Sequence, residues 1–587
     1  MVGLPRDIIE NARVDGATEF QIFVRIILPL SFPAIASFAI FQSSKCWAPA
    51  AATGKSWRRR LLSRSRCLCS CFSPCRNTWC VACWPVRSNN SVNGMSEMNA
   101  EKELQQRNRL MAGDADWWRG AVIYQIYPRS YQDSNTDGIG DIPGITRRLP
   151  YIASLGVDAI WISPFFTSPM RDFGYDVADY CDVDPMFGTL ADFDALIETA
   201  HRLGVRVMID LVLSHTSDQH PWFVESPWQW DPRREQYYLH NFLTSQPDLN
   251  FHTPAVQDAL LDVARFWLQR GVDGFRLDTI NFYVHDKQLR SNPPLPRKDR
   301  NASIAPSVNP YNHQRHLYSK NQPENLEFLR RFRAVLDEFP GATTVGEVGD
   351  AQRGLEIMGQ YTSGDEFVHM CYAFELLCQD PLTADRLADV FAQVDEVASN
   401  GWACWAVSNH DVVRHPTRWG LNDAAQRLVT TLLVCLRGSV CFYQGRDGCR
   451  TPMVWDADAG QGGFSAGQPW LPVSAEHLPL AVTNQEADPT SLLAHYRAAI
   501  ALRKSHPALA KGGHSGITAD GTVAWFTRRL DDQEIFCAFN LGADAADIRV
   551  PEGAWQAVAG DLGGAQDIND GCVALAGWQP CILRRTI

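Results

Sequence analysis

The sequence predicts an α/β fold: a (β/α)8 or TIM barrel, with a small inserted domain after strand 3 and a C-terminal antiparallel β-sandwich. Two observations predict it. From residue 117 to residue 509, short apolar runs recur eight times, each followed by a helical pattern, which is typical of parallel strands joined by helices. After residue 515 the helical patterns stop and short strand-like runs with Gly and Asp turns follow, which is typical of a sandwich.

Each of the eight runs is short and rich in β-branched or aromatic residues. The runs are "AVIYQIYP" (121–128), "VDAIWISPF" (157–165), "RVMIDLVLSH" (206–215), "GFRLD" (274–278), "TTVGEV" (343–348), "EFVHMCYA" (366–373), "ACWAVSNHD" (403–411) and "SVCFYQG" (439–445). Residues 216–254 exceed an ordinary connection between a strand and a helix, which predicts the inserted domain. We expect the catalytic barrel over residues 112–509, ending in the helical pattern 491–509, and the β domain over residues 510–587.

The N-terminal part of the chain has a different composition. Residues 1–98 contain 12 Lys and Arg against 5 Asp and Glu, whereas the remainder contains 42 against 61. Residues 43–94 hold nine Lys or Arg, no Asp or Glu and no periodicity, which predicts an unstructured or aberrant linker over residues 43–111. Their run "CLCSCFSPC" raises the alternative of a metal module, although its spacing matches no standard zinc pattern and no His accompanies it.

The first 42 residues carry a pattern of their own. "ENARVDGATEFQIFVRIILPL" resembles the cytoplasmic coupling loop of sugar ABC-transporter permeases, in which a "DG" helix leads through "LPL" into a membrane helix. The apolar run from Ile26 is broken by prolines and is too short to span a bilayer. We expect residues 1–94 to be dispensable for the enzyme. The methionines near which the enzyme proper would begin are Met95, Met98 and Met111.

Charge and cysteine usage narrow the possible partners and the compartment. The acidic remainder of the chain would repel nucleic acid and anionic membranes, so we expect neither a nucleic-acid partner nor stable membrane insertion. Of the 17 Cys, seven lie between Cys46 and Cys83 and the other ten are scattered singly. Scattered Cys in apolar runs are typical of buried thiols in a reducing compartment, and we therefore expect a cytoplasmic protein.

Charged and polar residues cluster where the predicted strands end. They are His215 in the third run, Asp278 in the fourth, Glu347 in the fifth, and His410 with Asp411 in the seventh. That end of a barrel is where active sites are built. Arg276 and Asp278 are two positions apart on one strand and therefore point to the same side. Pairing with the arginine would offset the unfavourable burial of the carboxylate.

Two facing carboxylates are the minimum for cleaving a glycosidic bond. The motifs "DLVLSH", "QPDLN", "GFRLDTIN", "VGEV" and "SNHD", in this order, resemble family 13 of the glycoside hydrolases, in its α-glucosidase and oligo-1,6-glucosidase branch. The resemblance covers residues 117–587. It implies that Asp278 is the nucleophile, Glu347 the general acid/base, and Asp411 the third carboxylate, which holds sugar hydroxyls. Neighbouring negative charge would raise the pKa of Glu347, as an acid catalyst needs.

The same resemblance implies which residues bind glucose in the first pocket. Tyr175 in "GYDV" would stack on the sugar ring. Asp176 in that motif would form an ion pair across the pocket with Arg450 in "CRTPM". The other implied glucose-binding residues are His215, Arg276 and His410.

A further motif, "DSNTDGIGD" (133–141), has the pattern of a cation loop. The candidate ligands, at positions 1, 3, 5, 7 and 9 of a calcium-type loop, are Asp133, Asn135, Asp137, the Ile139 carbonyl and Asp141. The family carries a structural Ca²⁺ or Mg²⁺ at this loop, so we expect such an ion here and no organic cofactor. A simple Asp/Asn/Gly turn is the alternative.

The resemblance leads us to expect a retaining, exo-acting α-glucosidase on short oligosaccharides such as maltose. Thr279 follows the nucleophile; in the family, threonine there accompanies α-1,4 activity and valine accompanies α-1,6 activity. The same site suits a transglucosylase, whose acceptor is a sugar instead of water. A catalytically impaired, transporter-associated protein would fit the permease-like start, but proteins of that kind lose the carboxylates that this chain retains.

Two departures from the family pattern bear on activity. Between Pro227 and Trp228 the family has a few dozen additional residues, which form one wall of the pocket. Between Gly445 and Arg446 it has "EELG" and a long loop, whose loss shortens the tether of Arg450. A misplacement of about 1 Å can lower a rate by about a hundredfold. We therefore expect a folded enzyme with an open pocket and weakened or lost activity.

Overall fold

The computed structural model describes residues 114–222, 238–297, 310–350, 352–445, 448–558, 562 and 568–586. All of these belong to one compact unit. Several sequence predictions concern residues outside the described ranges: the permease-like start, the linker with its Cys-rich run, the three candidate start methionines, and the two shortened junctions at Pro227–Trp228 and Arg446.

Eight parallel strands form the centre of the protein, and each lies within one of the predicted runs. The barrel strands, one to eight, are Val122–Ile126, Ala159–Ile162, Arg206–Leu211, Gly274–Leu277, Thr343–Val348, Met370–Ala373, Cys404–Trp405 and Ser439–Tyr443. Strand one pairs with strand eight as well as with strand two. A parallel bridge between Cys371 and Ala403 joins strands six and seven, so the sheet closes on itself and the predicted barrel is confirmed.

Amphipathic helices surround the barrel. The helices are Ile142–Ser154, Leu190–Arg202, Pro254–Gln269, Asn325–Asp337, Gly354–Thr362, Ala384–Val397, His415–Arg418, Asp423–Cys435, Val482–Ala487, Leu492–Ser505 and Pro507–Lys511. Short 3-10 turns occupy Pro128–Ser130, Ile280–Phe282, Pro310–His313, Phe374–Leu376, Gly460–Gly463 and Ala475–Leu480. The helical pattern 491–509 is broken at His506, because Pro507 lacks the N–H group that would continue the helix.

Antiparallel strands follow the last helix. Val523–Leu530, Gln533–Asn540 and Pro580–Arg585 lie side by side in one sheet. A second pair, Ala546–Arg549 with Cys572–Leu575, shares a buried apolar cluster with that sheet. This arrangement confirms the predicted C-terminal antiparallel β structure. The remaining strands of the larger sheet are Gly513–His514, Thr518–Asp520 and Trp555–Ala557.

The region of the predicted inserted domain has little regular structure where it is described. Residues 216–222 and 238–253 contain no helix or strand, and an isolated antiparallel bridge joins His215 to Asp248. A short hairpin of Phe166–Thr167 and Asp179–Val183 follows barrel strand two. The boundaries of the domains stay predictions.

Two observations concern the membrane and the thiols. Within the described ranges, no helix combines the length and the apolar character that crossing a bilayer requires. The ten described cysteines are free thiols, and seven of them are buried, as the scattered pattern predicted.

Candidate active site

The register of the barrel strands places two pairs of polar side chains at neighbouring levels of the barrel, and these four side chains form the central layer of the site. Asp210 on strand three lies opposite Arg276 on strand four. Glu347 on strand five lies opposite Tyr372 on strand six. All four are buried, with exposed fractions of 4% or less. Since residues paired across parallel strands face the same side of the sheet, two carboxylic acids, a guanidinium group and a phenol meet inside the barrel mouth.

Arg276 is the centre of this layer. Its Nη1 donates to Asp278 Oδ1 at 2.5 Å and to Asp210 Oδ1 at 2.8 Å. Its Nη2 lies 2.7 Å from Glu347 Oε2, and Nη2 and Nε both donate to the Tyr372 hydroxyl, at 2.8 and 3.2 Å. The predicted pairing of Arg276 with Asp278 is confirmed, and one guanidinium group contacts both candidate catalytic carboxyl groups.

Glu347 has a pKa well above that of an ordinary glutamate. Burial is the largest cause, and the charges of Asp278 and Asp411 add to it. The charge of Arg276 and the hydrogen bond from Tyr372 act in the opposite direction. The predicted direction is confirmed, but its main cause is burial and not like charge. A carboxyl group of this kind retains a proton at higher pH, as a general acid must.

Thr279, directly after Asp278, has a strained backbone. Its φ of 37° and ψ of 54° place it in the left-handed region, where a β-branched residue is an outlier. Hydrogen bonds hold it there: its N–H donates to Glu347 Oε2 at 3.2 Å and its hydroxyl donates to Asp278 Oδ2 at 3.1 Å. The strained residue therefore contacts both carboxyl groups.

His410 and Tyr175 form one wall of the site. Their rings are stacked, with centroids 5.2 Å apart and planes 4° apart, and the Tyr175 hydroxyl is hydrogen-bonded to His410 Nε2. Gln125 Nε2 lies 2.8 Å from His410 Nδ1, and the Tyr175 hydroxyl donates to Asp210 Oδ2 at 3.0 Å. Burial lowers the pKa of His410 to about 4, so the ring is neutral at pH 7.

Asp411 is the accessible carboxylate of the site. Its side chain is 46% exposed, whereas the side chains of Asp278 and Glu347 are 7% and 5% exposed. Its Oδ2 lies 3.3 Å from His410 Nε2. An exposed carboxylate beside two buried ones is suited to hydrogen-bonding a sugar that enters from solvent.

The predicted ion pair between Asp176 and Arg450 is wrong. Arg450 Nη2 lies 3.4 Å from Asp411 Oδ1, and its Nε donates to the His410 carbonyl at 2.9 Å. The Asp176 carboxylate instead accepts hydrogen bonds from the Ser168 hydroxyl and from two backbone N–H groups of the preceding turn. Within the described part of the chain, Asp176 is thus satisfied without an arginine.

The motif "QPDLN" contributes Gln246 to the same region. Gln246 Nε2 donates to Asp172 Oδ2 at 2.7 Å and lies 3.2 Å from His215 Nε2. His215 Nε2 is also 3.1 Å from the Tyr175 carbonyl, and its Nδ1 is 2.9 Å from Ser214 Oγ. Burial lowers the pKa of His215. His215 is therefore placed beside the predicted sugar-stacking tyrosine.

Sequence reasoning missed two residues of the central layer. Asp210 is an acidic residue inside the apolar run "RVMIDLVL", which is the same signal that drew attention to Arg276 and Asp278. Tyr372 gave no such signal, because aromatic residues are common in strands.

The loop 133–141 is tightly turned. Asp133 accepts hydrogen bonds from three backbone N–H groups of the loop and from the Ser465 hydroxyl. Asp141 accepts from the Gly144 N–H and caps the following helix. In the described ranges, no group of three or more His, Cys, Asp or Glu side chains is placed to hold a metal ion. The oxygen donors are of the type that Ca²⁺ and Mg²⁺ prefer, and the cation site stays a prediction.

Comparison with known proteins identifies two family matches. The family described as "Alpha amylase, catalytic domain" matches residues 125–227, 223–447 and 444–512. The family described as "Binding-protein-dependent transport system inner membrane component" matches residues 1–54, which confirms the permease-like resemblance. The first match is divided into three segments, which meet at residues 223–227 and 444–447. These are the two places where the sequence lacks residues of the family pattern.

Individual relatives point in the same direction. A "Probable alpha-glucosidase" of Rhizobium meliloti (strain 1021) is 56% identical over 536 residues, which covers 80% of this chain and 97% of that protein. An "Oligo-1,6-glucosidase" of Parageobacillus thermoglucosidasius is 31% identical, covering 74% of this chain and 92% of that protein.

Solved structures share the fold. The alpha-glucosyl transfer enzyme XgtA is 46% identical, with a TM-score of 0.76, over 80% of this chain and 99% of that chain. The trehalulose synthase MutB from Pseudomonas mesoacidophila MX-45 is 27% identical, with a TM-score of 0.71, over 80% and 99% of the two chains.

Proposed function

Because the chain belongs to the α-amylase catalytic-domain family and is an α-glucosidase-type glycoside hydrolase, we propose that it is a retaining, exo-acting enzyme. It removes terminal α-1,4-linked glucose from short oligosaccharides such as maltose. The observation that carries the proposal is the contact of one guanidinium group, that of Arg276, with Asp278 at 2.5 Å and with Glu347 at 2.7 Å. Retaining enzymes need two carboxyl groups about 5 Å apart.

Asp278 attacks the anomeric carbon while Glu347 protonates the leaving oxygen, and a covalent glucosyl intermediate forms on Asp278. Glu347, now ionised, then removes a proton from the water that displaces the enzyme carboxylate, so the anomeric configuration is retained. Arg276 and Tyr372 keep the two groups in place. The raised pKa of Glu347 supports its role as the proton donor.

The first pocket binds the terminal glucose. Tyr175, His410 and Asp176 form a buried wall, exposed by 8%, 0% and 0%, and this closed wall supports exo action. Asp411 and Arg450 hold sugar hydroxyls at the accessible side of this pocket. His215 Nε2 lies 3.1 Å from the Tyr175 carbonyl and helps to position Tyr175.

The two catalytic roles can be separated by leaving group. Asp278→Asn should lose activity on every glucoside, because no nucleophile remains. Glu347→Gln should lower kcat/KM about 10²–10⁴-fold on maltose, the usual contribution of a general acid, but much less on p-nitrophenyl α-glucoside, whose leaving group needs no proton. The kcat should fall on both substrates, because Glu347 also removes the proton from the attacking water. Proton NMR early in hydrolysis should show α-glucose. Early β-glucose would refute the proposed retention.

The preference for α-1,4 links is assigned to Thr279, which contacts both carboxyl groups. We expect a higher kcat/KM for maltose than for isomaltose, and Thr279→Val should move the ratio toward isomaltose. Ser214→Ala is a matched control, because Ser214 Oγ lies 3.2 Å from the Thr279 hydroxyl but does not contact Asp278 or Glu347 in the described structure. Faster cleavage of isomaltose by the unaltered chain would contradict the assignment.

Glucosyl transfer to a sugar is a second candidate function, and the likeness to the alpha-glucosyl transfer enzyme XgtA favours it. Product analysis at high maltose concentration separates the two functions. Glucose as the only product would support hydrolysis, whereas trisaccharide products would support transfer.

A further inference from the structure

Barrel strands four and five are joined again beyond the two candidate catalytic carboxyl groups. Asp278 directly follows strand four, and Asn281 lies in the 3-10 turn Ile280–Phe282 that comes after it. Glu347 is the last residue but one of strand five, and Gly349 is the first residue beyond that strand. The Gly349 N–H donates to Asn281 Oδ1 at 2.9 Å. The exits of the two strands are therefore linked three residues after one carboxyl group and two residues after the other.

The carbonyl group of Gly349 is held as well. Lys320 Nζ donates to it at 2.7 Å, and Asn281 Nδ2 lies 3.4 Å from the same oxygen. Asn281 is 0% exposed and Lys320 is 4% exposed. Side chains of these types are seldom fully buried unless their polar atoms are paired, and both pair here with the backbone of one residue. We call Asn281, Lys320 and the backbone of Gly349 the exit clamp.

A third segment of the chain anchors the exit clamp. Asn321 Oδ1 accepts from Asn281 Nδ2 at 2.8 Å, and the Asn321 N–H donates to the Asn281 carbonyl at 2.8 Å. Since a backbone N–H can only donate, Asn281 must present its oxygen to Gly349 and its nitrogen to Asn321. The packing is also close, because a Cβ atom at position 349 would lie 3.1 Å from Phe282 Cε2. The clamp therefore fixes one strand exit against the other.

We propose that Asn281 and Lys320 are positioning residues that hold Glu347 in line with the leaving oxygen of the substrate. The inference rests on the catalytic roles proposed above. In the described structure neither side chain hydrogen-bonds to Asp278 or Glu347, and both act through the backbone of Gly349. Without them the exit of strand five can shift relative to strand four, and proton transfer depends on close, directed contact.

The size of the effect follows from the contacts that remain. A misplacement of about 1 Å can lower a rate by about a hundredfold. Glu347 keeps Arg276 Nη2 at 2.7 Å and the Tyr372 hydroxyl at 2.9 Å when the clamp is lost. We therefore expect only part of that loss, about tenfold, and only where the reaction needs the acid.

The assay compares two aryl glucosides of similar shape whose leaving groups differ in their need for a proton. p-Nitrophenyl α-glucoside releases a stable phenolate, whereas p-methoxyphenyl α-glucoside depends on the general acid. Asn281→Ala should lower kcat/KM about tenfold more for the methoxy compound than for the nitro compound, and Lys320→Met should act in the same direction. A residue that only stabilises the fold would lower both values equally, because loss of folded enzyme affects every substrate alike.

Asn325→Ala is the matched control. Asn325 is also 0% exposed, and its Nδ2 donates to the Ile280 carbonyl at 2.8 Å, so it supports the same turn as Asn281. Its other described partner is the Tyr361 hydroxyl, and it forms no described hydrogen bond with Gly349. This variant should leave the ratio of the two kcat/KM values unchanged. An unchanged ratio in Asn281→Ala or in Lys320→Met, or an equal change in Asn325→Ala, would overturn the proposal.

Glu347→Gln separates this proposal from the proposed function. It should lower the same ratio by more than Asn281→Ala does, because it removes the acid itself. If Glu347→Gln leaves the ratio unchanged, Glu347 is not the acid, and both the proposed function and the exit clamp are wrong. If Glu347→Gln lowers the ratio while Asn281→Ala and Lys320→Met do not, the proposed function stands and the exit clamp alone is wrong.

Discussion

Replacing Tyr372 by Phe should move the alkaline limb of the kcat/KM profile to higher pH. The Tyr372 hydroxyl donates to Glu347 Oε1 at 2.9 Å. A hydrogen bond donated to a carboxylate favours the ionised form, so this bond lowers the otherwise raised pKa of Glu347. Since a general acid must be protonated, activity falls as the pH rises through that pKa. Without the bond the pKa rises further, and the fall in activity moves upward.

The size of the shift follows from the contacts that remain. A hydrogen bond to a charged group is worth about 1.5–3 kcal/mol, and one pKa unit corresponds to about 1.4 kcal/mol. Glu347 keeps Arg276 Nη2 at 2.7 Å and the Thr279 N–H at 3.2 Å, so we expect a shift of about one unit. The plateau of kcat/KM should also fall by about tenfold, because two donors of the buried Arg276 lose their acceptor.

The assay is kcat/KM for maltose, measured across pH for each variant, because the leaving sugar needs the proton of Glu347. Tyr175→Phe is the matched control. In the unaltered chain the Tyr175 hydroxyl also lies in the barrel mouth, but it donates to Asp210 at 3.0 Å and contacts His410. This variant should lower the rate without moving the alkaline limb. The reasoning fails if Tyr372→Phe leaves the limb in place or moves it to lower pH, or if Tyr175→Phe moves it equally.

Three further predictions concern parts of the chain away from this layer. EDTA, or Asp137→Ala, should lower Tm by a few degrees with kcat/KM unchanged at temperatures where the protein stays folded; an unaffected Tm would speak against the cation loop. A chain that begins at Met98 should keep the kcat/KM and Tm of the full chain, and its failure to fold would show that the preceding residues are needed. Restoring family-length loops after Pro227 and after Gly445 should raise kcat/KM by about tenfold or more and raise Tm, whereas equal values would show that neither loop matters.

The barrel could be predicted from the sequence because strand-like runs recur with a helix after each one. Strand ends could not be predicted, and the seventh run shows why. The predicted run covers residues 403–411, whereas the strand is only Cys404–Trp405. Asn409 Oδ1 accepts hydrogen bonds from the backbone N–H groups of Asp411 and Val412. Such local bonds compete with strand pairing, so the polar end of the motif forms a loop.

Asp278 and Glu347 could be proposed as the catalytic pair because both stand in distinctive motifs, and the structure brings both into contact with Arg276. Tyr372 could not, because its role depends on the register that places it opposite Glu347. That register joins strand five, which contains the motif, to strand six, where Tyr372 lies 25 residues beyond Glu347. The partner of Arg450 was predicted incorrectly for a related reason: the resemblance supplies a partner for a longer connection, and the connection in this chain is short.

The pairing of Arg450 with Asp411 indicates how the shortened loop affects catalysis. The alignment with the Rhizobium meliloti relative spans 536 residues but includes only about 470 of the 587 residues of this chain, so the relative has residues that this chain lacks.

Arg450 lies 3.4 Å from Asp411, the carboxylate proposed to hold sugar hydroxyls. Glucose must compete with that contact. The Arg450 side chain is mostly buried and that of Asp411 is about half exposed, so the pair is worth on the order of 1 kcal/mol. This competition alone should weaken binding by up to about tenfold. It should raise KM more than it lowers kcat, because Arg276, Asp278 and Glu347 are buried and keep their contacts. We therefore expect the barrel layer to preserve the chemistry, and the length of the connection after strand eight to affect how well the sugar is held.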